Sequence, residues 1–347
     1  MKSYLKKIVA IGLTLFVLGS NFIYAADEKQ VITREEAVKA AFTYSNHLSL
    51  NAKEKELLRE RLKANQNNAY EIYQSIYLEK AKNENQAEVL KDQITYDITN
   101  RYNTIVSLKE ELLHLDHTIL LKTRELEQVR AKKEVGFVSA IQYDTIKLEL
   151  EELKNSKASQ IEFLSNEESY FKLITGKDLA QYTLEDKLAF EIFRVPGNVE
   201  RYIDTTITTY LKYDKDLAQF AKDHVLIAGG QPIFYADYLD KQYAADKNLS
   251  ALEDARKAMK DMLMNNYSSL IGLEEQIGIL ETKLKLLQKQ ADIAKVQYEV
   301  GRMTALAYQK QLLGIEAVEM NLRKLITQYN QLKQVIEKPW VAIISKA

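Results

Sequence analysis

The sequence predicts an all-α protein built from two tandem copies of one long antiparallel helical hairpin, a coiled-coil unit. Three observations predict it. Only 3 prolines and 11 glycines occur in 347 residues, so helices meet few obligatory stops. Apolar residues recur every seven positions over long stretches. A motif at residues 134–143, EVGFVSAIQY, returns at 299–308 as EVGRMTALAY, an internal repeat at an offset of 165.

Residues 1–25 are expected to be a secretory signal. Lys2, Lys6 and Lys7 precede an apolar run from Ile8 to Gly19, and Ile23-Tyr24-Ala25 fits a cleavage site. That run is shorter than the ~20 residues a helix needs to span a bilayer. No later segment has a long apolar run, so the mature chain is not expected to cross a bilayer as helices. Losing the three lysines takes the net charge from −1 to −4. This mildly acidic balance argues against nucleic acid, which needs a clustered basic face. There is no cysteine, hence no disulfide, and stability rests on packing.

The first copy, residues 26–175, opens with Thr33 and Glu36 at the spacing of a capping box. A short helix is expected to about Tyr44 and a longer one to about Lys82, with a turn at Asn83-Glu84-Asn85-Gln86. A third helix, Ala87 to Lys133, would be about 70 Å long. The chain should reverse at Val135 to Ser139 and return from Ala140 to Leu173, with Gly176 as the stop. Residues 176–197 lose the heptads and read as a linker. The second copy, 198–338, follows the same plan. Gly229-Gly230-Gln231-Pro232 breaks its second helix where copy one shows no break. Its long helix is expected at Leu249 to Tyr298 and its return helix at Thr304 to Ile336. Pro339 opens a tail, 339–347.

The heptads fix the pairing. Ile98, Ile105, Leu112, Ile119 and Leu126 map by 165 onto Leu263, Leu270, Ile277, Leu284 and Ala291. Such a seam faces its partner only if the helices supercoil left-handed. A further block, Tyr44-Ser45, Leu48, Ala52 and Lys53, matches Tyr213-Asp214, Leu217, Ala221 and Lys222 at 169. At the reversals, Gly136 and Gly301 supply φ > 0, and Ser139 and Thr304 stand where an N-cap is needed.

No catalytic, cofactor-binding or metal constellation emerges, and the chain is read as not an enzyme. His114 and His117 share a helix face near Glu110 and Glu111, but no further ligand cluster stands out, so they read as a solvated face. Glu151 and Glu152, with Lys147 and Lys154, read as surface ion pairs. The 21 tyrosines read as seam and boundary residues that hide a ring and keep the hydroxyl wet.

The duplication, the leading helix ITREEAVKAAFTYSNHLSLNAKE, the VG-x-x-[ST] turn in both copies and the LITGKDL ending at 173–179 together resemble the TolC-like outer-membrane efflux proteins. The resemblance spans nearly the whole mature chain. It implies a protomer of a homotrimeric helical tunnel that meets a membrane-fusion adaptor and an inner-membrane pump. The docking tips it implies are Val135, Gly136, Phe137 and Ser139, and Val300, Gly301, Arg302 and Thr304. Phe137 and Arg302 stand where the family often has Leu. Ala307 and Lys310 stand where it often has gating acids, so an acidic iris is not expected. The strands that build the family's shared barrel are also not visible. Residues 66–100 keep a helical spacing, and 228–250 carry Asp237, Asp240, Lys241, Asp246 and Lys247. A charged strand set cannot cross a bilayer. The expectation is therefore an exported TolC-like helical body without a transmembrane β-barrel, in the periplasm or at another extracytoplasmic surface of the envelope. It serves either as an efflux or secretion conduit or as an envelope scaffold without transport.

Overall fold

The computed structural model describes residues 30–225, 227–228, 231–232 and 234–342. The expected signal, 1–25, and the last residues of the tail lie outside them. Strand β1 (Gln30–Ile32) leads into α1 (Arg34–Tyr44), which opens on a capping box. Thr33 Oγ1 accepts from Glu36 N at 3.2 Å, and Thr33 N donates to Glu36 Oε2 at 2.9 Å. Ser45 caps α2 (Asn46–Ala64). Then come α3 (Tyr70–Glu134), α4 (Ala140–Thr175) and β2 (Tyr182–Leu184), which pairs in parallel with β1. Asn198 caps α5 (Val199–Asp223). A short hairpin, β3 (Ile227–Ala228) with β4 (Gln231–Pro232), joins it to α6 (Tyr235–Glu299). Finally α7 (Ala305–Glu337) returns and ends at a 3₁₀ turn, Pro339–Val341.

The fold is all-α: two tandem long antiparallel hairpins, α3/α4 and α6/α7. Contacts of α3 with α7 and α5 join the two copies side by side. Toward the reversals the helices lie in the order α4–α3–α7–α6, and toward the other end in the order α2–α3–α5–α6. No packing of comparable extent joins α4 to α6, so the layer stays open along both edges.

The heptads predict the core well. Ile98, Ile105, Leu263, Leu270, Ile277, Leu284 and Ala291 are all buried. Leu112, Ile119 and Leu126 are only half-buried. There α3 lies between α4 and α7 and spreads its burial over a wider arc. At the top of copy one, Ile32, Ala37, Tyr102 and Phe171 form one cluster. The Tyr102 hydroxyl donates to Ile32 O at 2.7 Å, with Glu185 O at 3.0 Å, and burial pushes its pKa up to about 12. This hydroxyl ties β1 and the segment after β2 to the middle of α3.

Two expectations need correction. Asn83-Glu84-Asn85-Gln86 is not a turn; it lies inside α3. Asn83 is buried and clasps α2: its Nδ2 donates to Glu54 Oε2 at 2.9 Å, and Asn51 Nδ2 donates to Asn83 O at 3.1 Å. The turn sits instead at residues 65–69. Copy one therefore does have a break, at the place equivalent to the glycine-rich break of copy two. Correspondingly, α3 and α6 each contain 65 residues, about 97 Å, and α6 begins at Tyr235 rather than Leu249. Leu249, Leu252 and buried Ala245 extend the seam against α5 back toward Tyr238, so the helix gains a packed face before the region the heptads marked.

Among the described residues the strands are two or three residues long. A bilayer-spanning strand needs ~9–11. No described helix is long and apolar enough to cross a membrane.

Candidate functional site

Both reversals use the same backbone device. Gly136 has φ 82° and Gly301 has φ 74°. Phe137 N donates to Lys132 O at 2.9 Å, and Arg302 N donates to Gln297 O at 2.8 Å, the six-to-one bond of a Schellman motif. The return helices then start on hydroxyl caps. Ser139 Oγ accepts from Gln142 N, and Thr304 Oγ1 accepts from Ala307 N, each at 3.2 Å. Only the first tip closes a full capping box, because Gln142 is replaced by Ala307 in the second. A Cβ at either glycine would meet no atom within 4 Å, so the requirement for glycine there is conformational, not steric.

The tips are presented outward. Phe137 is 83% exposed, and Val135 and Val300 are also exposed. Behind each tip the helix pair is stapled at equivalent positions. In copy two, Tyr298 and Tyr308 stack at 5.4 Å; in copy one, Lys133 sits 4.4 Å from the Tyr143 ring centroid.

Between the copies runs a polar seam that the sequence did not reveal. Lys310 Nζ donates to Glu125 Oε1 at 2.9 Å, and Arg124 Nη1 donates to Gln309 Oε1 at 2.6 Å. Lys310 is thus part of an ion pair linking α3 to α7. Further from the tips, His114 and His117 share a face as their spacing implies. The carboxylate that meets them is Glu316 of the other copy, at 3.2 Å from His114 Nδ1 and 3.0 Å from His117 Nδ1, not Glu110 or Glu111. Glu110 instead faces Arg323 at 3.0 Å, and Arg323 also pairs with Asp186. Desolvation pushes the Glu110 carboxyl up to about 7; Arg323 opposes the shift and Asp186 adds to it. Among the described residues no group of three or more His, Cys, Asp or Glu is arranged to hold a metal.

The sequence reading also missed the open edges. On α6, Ile279, Leu286 and Ile293 are exposed, and Val300 continues the stripe to the tip. They recur every seven residues, two positions after each buried seam residue, so the periodicity that found one stripe carries a second. On α4, Ile141 and Leu148 are exposed at the same spacing, with Ile161 and Phe163 further along.

No protein-family model matches the sequence, and no curated protein matches it either. Solved structures do match the fold. CusC, described through folding and transmembrane channel formation, aligns with TM-score 0.64 and 9% identity over 91% of this chain and 94% of its own. The outer membrane protein VceC from Vibrio cholerae aligns with TM-score 0.61 and 10% identity, covering 88% and 96%. The outer membrane channel CmeC from Campylobacter jejuni aligns with TM-score 0.57 and 11% identity, covering 89% and 85%. The protein thus has the fold of TolC-like outer-membrane efflux channels. At such identity the likeness is one of fold.

Proposed function

We propose that this chain is one subunit of an exported helical conduit in an efflux or secretion system. Copies join edge to edge, α6 of one beside α4 of the next, into a closed ring of three. An adaptor docks on the tips, Val135, Gly136, Phe137 and Ser139 with Val300, Gly301, Arg302 and Thr304, and hands over to an inner-membrane pump. The observation that carries this reading is the open layer with an apolar stripe on each edge. The two edges differ in residues, so pairing is head-to-tail, and a head-to-tail contact generates a ring when its rotation closes. The channel-like fold supports the same reading by analogy. No step of bond chemistry is assigned. The signal at 1–25 would deliver the chain to the periplasm or the outer face of the envelope.

The tips are tested by Gly136→Ala with Gly301→Ala. Each alanine strains the turn at φ > 0, so pulldown of the adaptor should weaken while the far-UV spectrum stays helical. Unchanged folding together with unchanged adaptor binding would remove the docking assignment.

A second reading is favoured by one observation, the shortness of the described strands. The hairpins would then serve as a rigid envelope scaffold without transport. A neighbouring gene pair encoding an adaptor and an ATP-driven permease favours the conduit; a chain that stays monomeric favours the scaffold.

A further inference from the structure

The two copies are fastened differently along their length. Among the described residues, none of the three buried apolar clusters includes a residue of α3 beyond Val106 or of α7 before Leu322. Leu121 and Val318 are buried in that stretch but belong to no cluster. From Val106 to Gly136, about 45 Å along the seam, the side-chain bonds between α3 and α7 are polar. They join Glu110 to Arg323, His114 and His117 to Glu316, Arg124 to Gln309 and Glu125 to Lys310. Charge and hydrogen bonding, with no shared apolar cluster, therefore hold the tip half of the seam.

One of these contacts lacks a fixed cation. Lys310 serves Glu125, and Arg323 is shared by Glu110 and by Asp186 of the linker. Glu316 meets only imidazoles: His114 Nδ1 lies 3.2 Å from its Oε2, and His117 Nδ1 lies 3.0 Å from Oε1 and 3.1 Å from Oε2. The surrounding groups do not supply the missing charge. On α3, Glu110 and Glu111 precede the two histidines and Asp116 lies between them. The nearest lysines of α3, Lys109 and Lys122, pair with Glu168 and Glu149 of α4. From α4, Lys157 is taken by Asp116, and Gln160 Nε2 donates to Glu111 Oε2 at 3.2 Å. On α7, Glu319 follows Glu316 by three residues, and burial together with the Glu316 charge pushes its carboxyl up. Among the described residues no charged side chain of α6 pairs with Glu316 or Glu319.

An imidazole gains or loses its charge between about pH 5 and 8. Charged, each ring gives Glu316 a charge-assisted hydrogen bond, roughly twice as strong as a neutral one. Neutral, a ring donates from Nδ1 in only one of its two tautomers. All three side chains keep part of their surface in solvent, so protons reach them without unfolding.

We propose that His114, His117 and Glu316 form a proton-operated latch between the two copies: with the rings charged it draws α7 onto α3 along the tip half of the molecule, and with the rings neutral the two hairpins spread there. The latch lies within one chain and rests on neither reading of the protein's role.

Glu127 of α3 and Gln311 of α7 are exposed, and the chain has no native cysteine. Glu127→Cys with Gln311→Cys therefore places two spin labels on the full chain, diluted in unlabelled chain so that only pairs within one molecule are read. Pulsed dipolar spectroscopy should give one short distance at about pH 5.5 and a longer population, increased about threefold, at about pH 8.5. His114→Gln with His117→Gln should show the longer population at both pH values. His114→Gln with His117→Arg restores a permanent cation and should show the short distance at both. Glu110→Gln removes the neighbouring proton site beside Arg323 and should leave the pH step in place. A parent distribution that is the same at both pH values overturns the proposal. So does a step that survives loss of both histidines, or one that disappears with Glu110→Gln, because the responsible proton would then sit on another group.

Discussion

Replacing Glu110 with Gln is expected to flatten the stability of this protein between about pH 4.5 and 7. Glu110 lies on α3 beside Arg323 of α7, where desolvation raises its carboxyl to about 7. Because its folded pKa lies above its unfolded value, the folded state holds the extra proton. The stability it contributes is full below the unfolded pKa and is lost as pH rises through the folded one. Each tenfold change in proton affinity is worth about 1.4 kcal/mol, and the side chain keeps some exposure, so the loss is about 2 kcal/mol after screening. Glu319, also raised mainly by desolvation, adds a smaller slope of the same sign. Urea unfolding followed by far-UV circular dichroism at several pH values reads the difference between the two proteins. Glu110→Gln should match the parent near pH 4.5 and exceed it near pH 7.5. Equal stability of the two proteins at both pH values would refute the idea that desolvation of this carboxyl outweighs its pairing with Arg323. A variant less stable at the higher pH would show that Arg323 dominates the site instead.

Other perturbations follow from the same contacts. Gly136→Ala should cost about 1 kcal/mol in urea unfolding, because the cost is the φ of 82° alone and no atom crowds the new Cβ. Asn83→Ala should cost about 1 kcal/mol, since it removes the Nδ2 donor to Glu54 Oε2 and Asn51 O but keeps the main-chain carbonyl that accepts from Asn51 Nδ2. Ile279→Ser, Leu286→Ser and Ile293→Ser together should leave the monomer's unfolding midpoint nearly unchanged, because these side chains are exposed within one chain. In a ring they would lose about 1 kcal/mol each, enough to weaken association about a hundredfold, which sedimentation velocity would detect.

Sequence periodicity captures what depends on a repeated local pattern. The buried seams of α3 and α6, the capping box at Thr33 and the glycine reversals at 136 and 301 each depend on a few neighbouring residues, and each is present in the fold. The turn of copy one escapes it because polar side chains have two uses. Asn83 and its neighbours look like a loop, yet Asn83 is spent on hydrogen bonds to α2, and the equally polar run at 65–69 makes the turn. The polar seam of Lys310 with Glu125 and of Glu316 with the two histidines pairs residues nearly two hundred positions apart. No local pattern marks such pairs. The second stripe on α6 is written in the heptads, but a stripe without a partner in the chain shows its meaning only once the first stripe is seen to be occupied.

Everything proposed for the conduit depends on the two open edges meeting between copies. Sedimentation equilibrium of residues 26–347 over a range of concentrations measures that directly. The expected result is a mass three times that of the chain, lost when Ile279, Leu286 and Ile293 become serine. A single-chain mass at every concentration would contradict it and leave the hairpins as a scaffold.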